Sequence, residues 1–183
     1  MKTRRVFKPK DTKSGDGMLT TVWGPSLWHY LHTMSFNYPV EPTADQKKQY
    51  KDFILSLVHV LPCKYCRMNL VKNFKSLPLK HSDMESRDTF SRYVYKLHEL
   101  INTMLGKKSN LSYCDVRERY EHFRARCTLN DPPKTEKGCT VPLVGKKSKG
   151  VIRIVPQEEP CESLQIDTPV SYTHLTLPTK RIV

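Results

Sequence analysis

No apolar run in this chain approaches the roughly 18 residues that a membrane-spanning helix needs, so no spanning segment is expected. The N-terminal residues carry charge but no apolar stretch, and do not read as a secretory signal. Pro9, Asp11, Gly15, Asp16 and Gly17 would interrupt an amphipathic helix there, so a mitochondrial presequence is not expected either. Strand signals are almost absent before residue 140, which argues against a βαβ architecture. Acidic side chains are scarce. There are 18 against 31 Lys and Arg, leaving a net charge of +13 over 183 residues. The excess is not confined to one arm: residues 1–17 hold six basic against two acidic residues, 18–127 hold 17 against 10, and 128–183 hold eight against six. A solvated basic surface accounts for this. Attraction to a polyanion, an acidic partner or the phosphates of a cofactor is the sharper reading, and composition does not choose.

What is present is helical. Residues 1–17 read as a disordered basic arm. A first helix is expected after Trp23-Gly24, with Pro25 in its first position. It carries Leu27, Trp28, Leu31, Met34 and Phe36 at near-helical spacing. Thr43 with Gln46 three residues on forms a capping box for a second helix, whose stripe is Tyr50, Phe53, Ile54, Leu57, Val58 and Leu61. Pro62 ends that helix and opens a third, which runs to a break near Pro78. Ser82 with Glu85 reads as the start of a fourth, which carries Phe90, Tyr93, Val94, Leu97, Leu100, Ile101, Met104 and Leu105 and stops at Gly106. A short fifth helix is expected between Cys114 and Arg126. The pattern is all-α: a four-helix bundle with a short fifth helix over residues 18–127, flanked by disordered tails. Residues 128–169 read as a proline-rich tail with one short strand at Val151–Val155. Residues 170–183 have the look of translated sequencing-adapter read-through, so a different natural C-terminus is expected.

Six cysteines stand at 63, 66, 114, 127, 139 and 161. Without a secretory signal, redox chemistry or metal binding must be weighed before a structural disulfide framework. Cys63-Lys64-Tyr65-Cys66 is a CxxC at an expected helix N-terminus, where the partial positive charge stabilises a thiolate. Lys64 and Arg67 add positive potential. A zinc site would need a second pair of ligands, and no second CxxC exists, so no metal is expected. Helical periodicity before Cys63 argues against a thioredoxin-like site. A redox dithiol in an all-α scaffold needs an electron acceptor, and a flavin is the economical one. His98 and Asn102 share a helix face, with Lys107 just beyond. Trp23, Trp28, His32 and Tyr38 lie near the first helix. Core packing is the plain alternative for Trp28 and Tyr38, and a satisfied buried histidine for His32 or His98.

Trp28-x-x-Leu31-His32-Thr33, then Tyr38-Pro39, Leu61-Pro62-Cys63-x-x-Cys66, and Leu97-His98-x-x-x-Asn102-x-x-Leu105-Gly106-Lys107 form a set. Together they resemble the Erv/ALR family of FAD-linked sulfhydryl oxidases. The likeness covers about residues 23–127, and Trp23-Gly24-Pro25 with Phe36-Asn37-Tyr38-Pro39 gives it the cast of members from large DNA viruses. It implies FAD in the mouth of the bundle. Gly24, Trp28, His32 and Tyr38 would line the site from the first helix, and His98, Asn102 and Lys107 from the fourth. Cys66 would face the flavin as the charge-transfer thiolate, while Cys63 exchanges with incoming thiols. Cys114 and Cys127 would form a structural disulfide, and Tyr120 stands where the family has a flavin-side tryptophan. The sequence departs from the family at His98-Glu99, usually His-Asn, and at Tyr93, usually Trp. The partners implied are protein thiols, with a thioredoxin-like relay protein, molecular oxygen reduced to hydrogen peroxide, and a second copy in a homodimer. Nucleic acid is not an expected partner. A virus-type member would work in infected-cell cytoplasm or the virion, ahead of the mitochondrial intermembrane space. The rival readings are a non-catalytic basic binding module and a zinc-stapled adaptor.

Overall fold

Local capping fixes most of the helix ends. In this computed structural model, which describes residues 8–127, 138–156, 158–159 and 164–166, the helices are α1 (Thr20–Phe36), α2 (Ala44–Val60), α3 (Lys64–Ser76), α4 (Arg87–Met104) and α5 (Tyr113–Glu121). The Thr43 hydroxyl accepts the Gln46 N–H at 3.2 Å, and the Gln46 side chain accepts the Thr43 N–H at 3.0 Å, completing the expected box at α2. Gly106, at φ +67°, lies just past α4, where a left-handed residue ends the helix. Ser112 and Asp115 cap α5 in the same reciprocal way.

Two starts differ from expectation. α1 begins a turn before Pro25, because tertiary bonds hold its first turn: the Met18 N–H donates to the Pro62 carbonyl at 2.8 Å and the Trp23 indole to the Met18 carbonyl at 3.1 Å. Pro25 therefore lies inside the helix. α4 is capped by Ser86, whose hydroxyl accepts the Thr89 N–H at 3.2 Å, and not by Ser82. Ser82 instead lies in a short 3-10 turn, His81–Met84.

α1 packs on α4 and α2 on α3, and α5 closes against α1 and α4. The core joins Leu31, Tyr38, Ile54, Leu57, Leu70, Phe90, Tyr93, Val94 and Leu97 from the four long helices and the turn after α1. Phe36, Tyr113, Val116 and Tyr120 form a second cluster beneath α5. Each such side chain contributes on the order of 2 kcal/mol by leaving water.

The expected strand at Val151–Val155 does not form; Val151, Ile152 and Ile154 are exposed and have no ladder partner. The one pairing among the described residues is a bridge between Ala125 and Pro142. The Arg126 N–H donates to the Val141 carbonyl and the Leu143 N–H to the Arg124 carbonyl, both at 2.8 Å. This return of the chain corrects the disulfide expectation. Cys127 pairs with Cys139, and Cys114, in the first turn of α5, is exposed and unpaired. Cys161 and the suspected read-through at 170–183 lie outside the described residues.

Candidate active site

Cys63 and Cys66 form a disulfide at the N-terminus of α3, with Cα atoms 5.2 Å apart. Cys63 is the N-cap: its sulfur accepts the Cys66 N–H at 3.2 Å. That donor and the helix dipole both favour negative charge on the outer sulfur once the pair is reduced. The two cysteines are not equivalent. Cys66 packs against the core, while Cys63 sits at the helix mouth. The residues before α1 press on this mouth. A Cβ at Gly17 would lie 2.7 Å from the Pro62 carbonyl oxygen, so only glycine permits the approach. Thr20, in the first turn of α1, brings its hydroxyl 3.7 Å from the Cys66 sulfur.

From that contact a strip runs along α1. Thr20, Gly24, Trp28, His32 and Phe36 follow at intervals of four, so each neighbours the next on the helix surface. Gly24 is buried, yet a Cβ added there would meet only the Thr20 methyl, at 3.6 Å. It opens a slot between the redox pair and Trp28. Trp28 stacks on His98 of α4 with centroids 3.9 Å apart and planes 9° from parallel. His98 Nδ1 and His32 Nε2 are 2.9 Å apart, so one ring donates and the other accepts. Tyr120 closes the far side, 5.2 Å from the His32 ring and stacked on Phe36.

Burial holds both imidazoles neutral. His32 is pushed down to about 3 by desolvation and by the neighbouring His98 and His29, and His98 to about 4, mainly by desolvation. His32 Nδ1 is buried without a partner, an arrangement that costs about 1–3 kcal/mol unless a ligand satisfies it. A stability change with pH follows. Unfolding returns both rings to the ordinary value of 6.5, so between that value and about 3 the unfolded chain binds more protons than the folded one. The thermal midpoint is expected to hold above about pH 6.5 and fall as the pH drops towards 4. A His98→Gln variant would show a shallower fall in the same melting series. An unchanged slope would show that the pair does not titrate as the burial dictates.

The structure brings Cys66, Gly24, Trp28, His32, His98 and Tyr120 into one region. Asn102 and Lys107 follow at the end of α4, where the Lys107 N–H donates to the Asn102 carbonyl at 2.8 Å and the Asn102 amide to Glu99 at 2.9 Å. Lys107 also bears electrostatically on His98. Tyr38 is not in this group. Its ring has 0% exposure, lies between Tyr50 and Phe90, and its hydroxyl donates to the Met84 carbonyl at 2.8 Å. The plain reading, core packing, holds for Tyr38, because the turn after α1 carries it under the bundle. Two residues of the site were not picked out in the sequence. Thr20 was hidden by the late helix start, although its four-residue spacing from Gly24 was legible. His29, 3.3 Å from the Tyr120 hydroxyl, had no signal of its own. Among the described residues no three His, Cys, Asp or Glu side chains gather as a metal site, and no helix is long and apolar enough to cross a membrane.

Comparison with known proteins agrees with this geometry. The Erv1 / Alr family model matches residues 25–124. A probable FAD-linked sulfhydryl oxidase of Acanthamoeba polyphaga mimivirus is 32% identical over 99 residues, which cover 54% of this chain and 68% of the relative. A FAD-linked sulfhydryl oxidase of Arabidopsis thaliana is also 32% identical over 99 residues, but the match spans only 50% of that protein. The crystal structure of the yeast Erv1 core superposes with a TM-score of 0.51 at 25% identity, covering 66% of this chain and 94% of that one. With the family model matching more than half of its length and the redox pair, slot and histidine pair in place, this chain belongs to the Erv1/Alr family.

Proposed function

We propose that the chain is a FAD-dependent thiol oxidase that makes disulfides in protein substrates. The observation that carries this is the continuous strip from the Cys63–Cys66 disulfide through Thr20 and the Gly24 slot to the Trp28–His98 stack. The residues suit a flavin. An open slot over a buried glycine, flat aromatic walls and an unpartnered His32 Nδ1 are what a planar, hydrogen-bonding ring system would use. Trp28, His32, His98 and Tyr120 would hold the rings, and Asn102 and Lys107 the ribose and phosphates. Bound FAD supplies a two-electron acceptor that can pass the pair to oxygen, giving hydrogen peroxide.

The chain's own residues do the rest. Cys63 meets the incoming thiolate at the exposed helix mouth, and the Cys63–Cys66 bond breaks as a mixed disulfide forms. A second substrate thiolate releases the substrate as a disulfide. The two protons given up by the substrate thiols are taken by the reduced pair, so Cys63 and Cys66 hold the electron pair as a dithiol. The Cys66 N–H and the α3 dipole stabilise the thiolate on Cys63, and the Thr20 hydroxyl is placed to donate to Cys66. Lys64 adds positive charge at the same end. The family likeness further supports a homodimer, and the mimivirus relative supports a viral setting, in infected-cell cytoplasm or the virion.

The purified protein is expected to be yellow, with a visible flavin band that bleaches when a dithiol is added without air and returns on aeration. A colourless protein that takes up no added FAD would overturn the reading.

A further inference from the structure

From Phe53 to Ser82 the chain has no acidic residue, while Lys64, Arg67, Lys72, Lys75 and Lys80 all fall within it. α3 lies at the centre of this stretch. Its inner side carries Leu70 and Asn73, both buried. Its outer side groups Lys64, Tyr65, Met68, Val71, Lys72 and Lys75, all exposed. At 100° per residue these six fall within about a third of the helix circumference, so they form one face. Tyr65 is 75% exposed, Met68 51% and Val71 42%, so three large apolar side chains lie together among the lysines of this face. Among the described residues, Lys64, Lys72 and Lys75 have no carboxylate partner. The helix dipole accounts for cations near the C-terminal end, but it disfavours Lys64 at the first position.

We infer that this face of α3 is the docking surface for an acidic, cysteine-bearing segment of the protein substrate, which it delivers to Cys63 at the head of the same helix. The inference rests on the thiol-oxidase reading and names the class of substrate. Charge complementarity selects the occupant. A second copy of this chain would bring +13 against a uniformly positive face. Nucleic acid suits the lysines but not Tyr65, Met68 and Val71, which can pack on the apolar side chains of a peptide. The face spans about 17 Å at the helical rise, enough for several residues of an extended segment.

The test uses the full flavin-loaded chain and three thiol substrates: dithiothreitol, and two dicysteine peptides identical except for glutamates or lysines flanking the cysteines. Thiol loss is followed at low and at high salt. The glutamate peptide is expected to be oxidised with a kcat/KM about tenfold above that of the lysine peptide, mostly through KM, and about 0.5 M salt should erase the difference. Lys72→Glu with Lys75→Glu should reverse the preference while dithiothreitol oxidation stays unchanged. Equal rates for the two peptides, or an unchanged preference in the double variant, would overturn the docking surface. So would duplex DNA that binds this face and loses binding in the double variant, without any peptide preference. Failure of the unaltered chain to oxidise dithiothreitol would overturn the thiol-oxidase reading itself, and the docking surface with it.

Discussion

Serine in place of Cys66 is expected to cut dithiol-driven oxygen uptake by about a thousandfold or more, while the helices and their melting transition remain. The size of the effect follows from what is lost. Cys66 is half-buried at the start of α3, packs against the core and faces Thr20, so it is the sulfur nearest the strip that leads to Trp28 and His98. A serine hydroxyl keeps the shape. It forms no disulfide with Cys63, and it holds no electron pair in a form that a flavin accepts. Cys63 would remain able to attack a disulfide but would have no partner to resolve the product. Oxygen consumption with dithiothreitol measures the loss, and far-UV circular dichroism verifies the fold. Turnover within tenfold of the unaltered chain would refute the assignment of Cys66 to this role.

Much of the bundle was legible because its signals are local. The Thr43–Gln46 box and the Gly106 stop each depend on residues within one turn, so sequence spacing identifies them directly. The misplaced starts have non-local causes. Pro25 is an acceptable first residue of a helix, and nothing nearby says otherwise. The extra turn of α1 is held by the Pro62 carbonyl, more than forty residues away in sequence. At α4 two serines compete, and Thr89 completes the box with Ser86, a pairing that the Ser-x-x-Glu pattern at Ser82 conceals.

The candidate site divides on the same line. His98 and Trp28 were recognisable as a set, but only the packing of α1 on α4 stacks them and aligns His32 behind. Tyr38 lies two residues past Phe36 with every appearance of belonging to the same aromatic group. Its N–H bonds to the Ser35 carbonyl at 3.2 Å, and that turn sends the ring into the core. Disulfide pairing among Cys114, Cys127 and Cys139 is fixed by where the chain returns after α5. The bridge at Ala125 and Pro142 places Cys139, and not Cys114, beside Cys127.

The ring beneath Tyr38 carries the largest expected stability effect. Phe90 has 0% exposure and packs against both Tyr38 and Tyr50, with centroids 4.8 and 5.9 Å away. Three segments meet at this point: the turn after α1, and the helices α2 and α4. Phe90→Ala removes a whole ring from a place where the Tyr38 hydroxyl bond to Met84 and the capped start of α4 both resist collapse. The cavity should therefore stay open, and the cost is expected to be about 3–5 kcal/mol. Against a total stability of roughly 5–15 kcal/mol, that removes a large share of what holds the domain folded. Phe90→Leu keeps most of the volume and should cost less than half as much. Tyr38→Phe keeps the ring but leaves the Met84 carbonyl without its donor, for a loss of about 1–2 kcal/mol. Urea unfolding of the three variants should rank them in that order. A Phe90→Ala loss below about 1 kcal/mol would mean that the core relaxes around position 90, and that this aromatic contact does not hold α4 to the rest of the bundle.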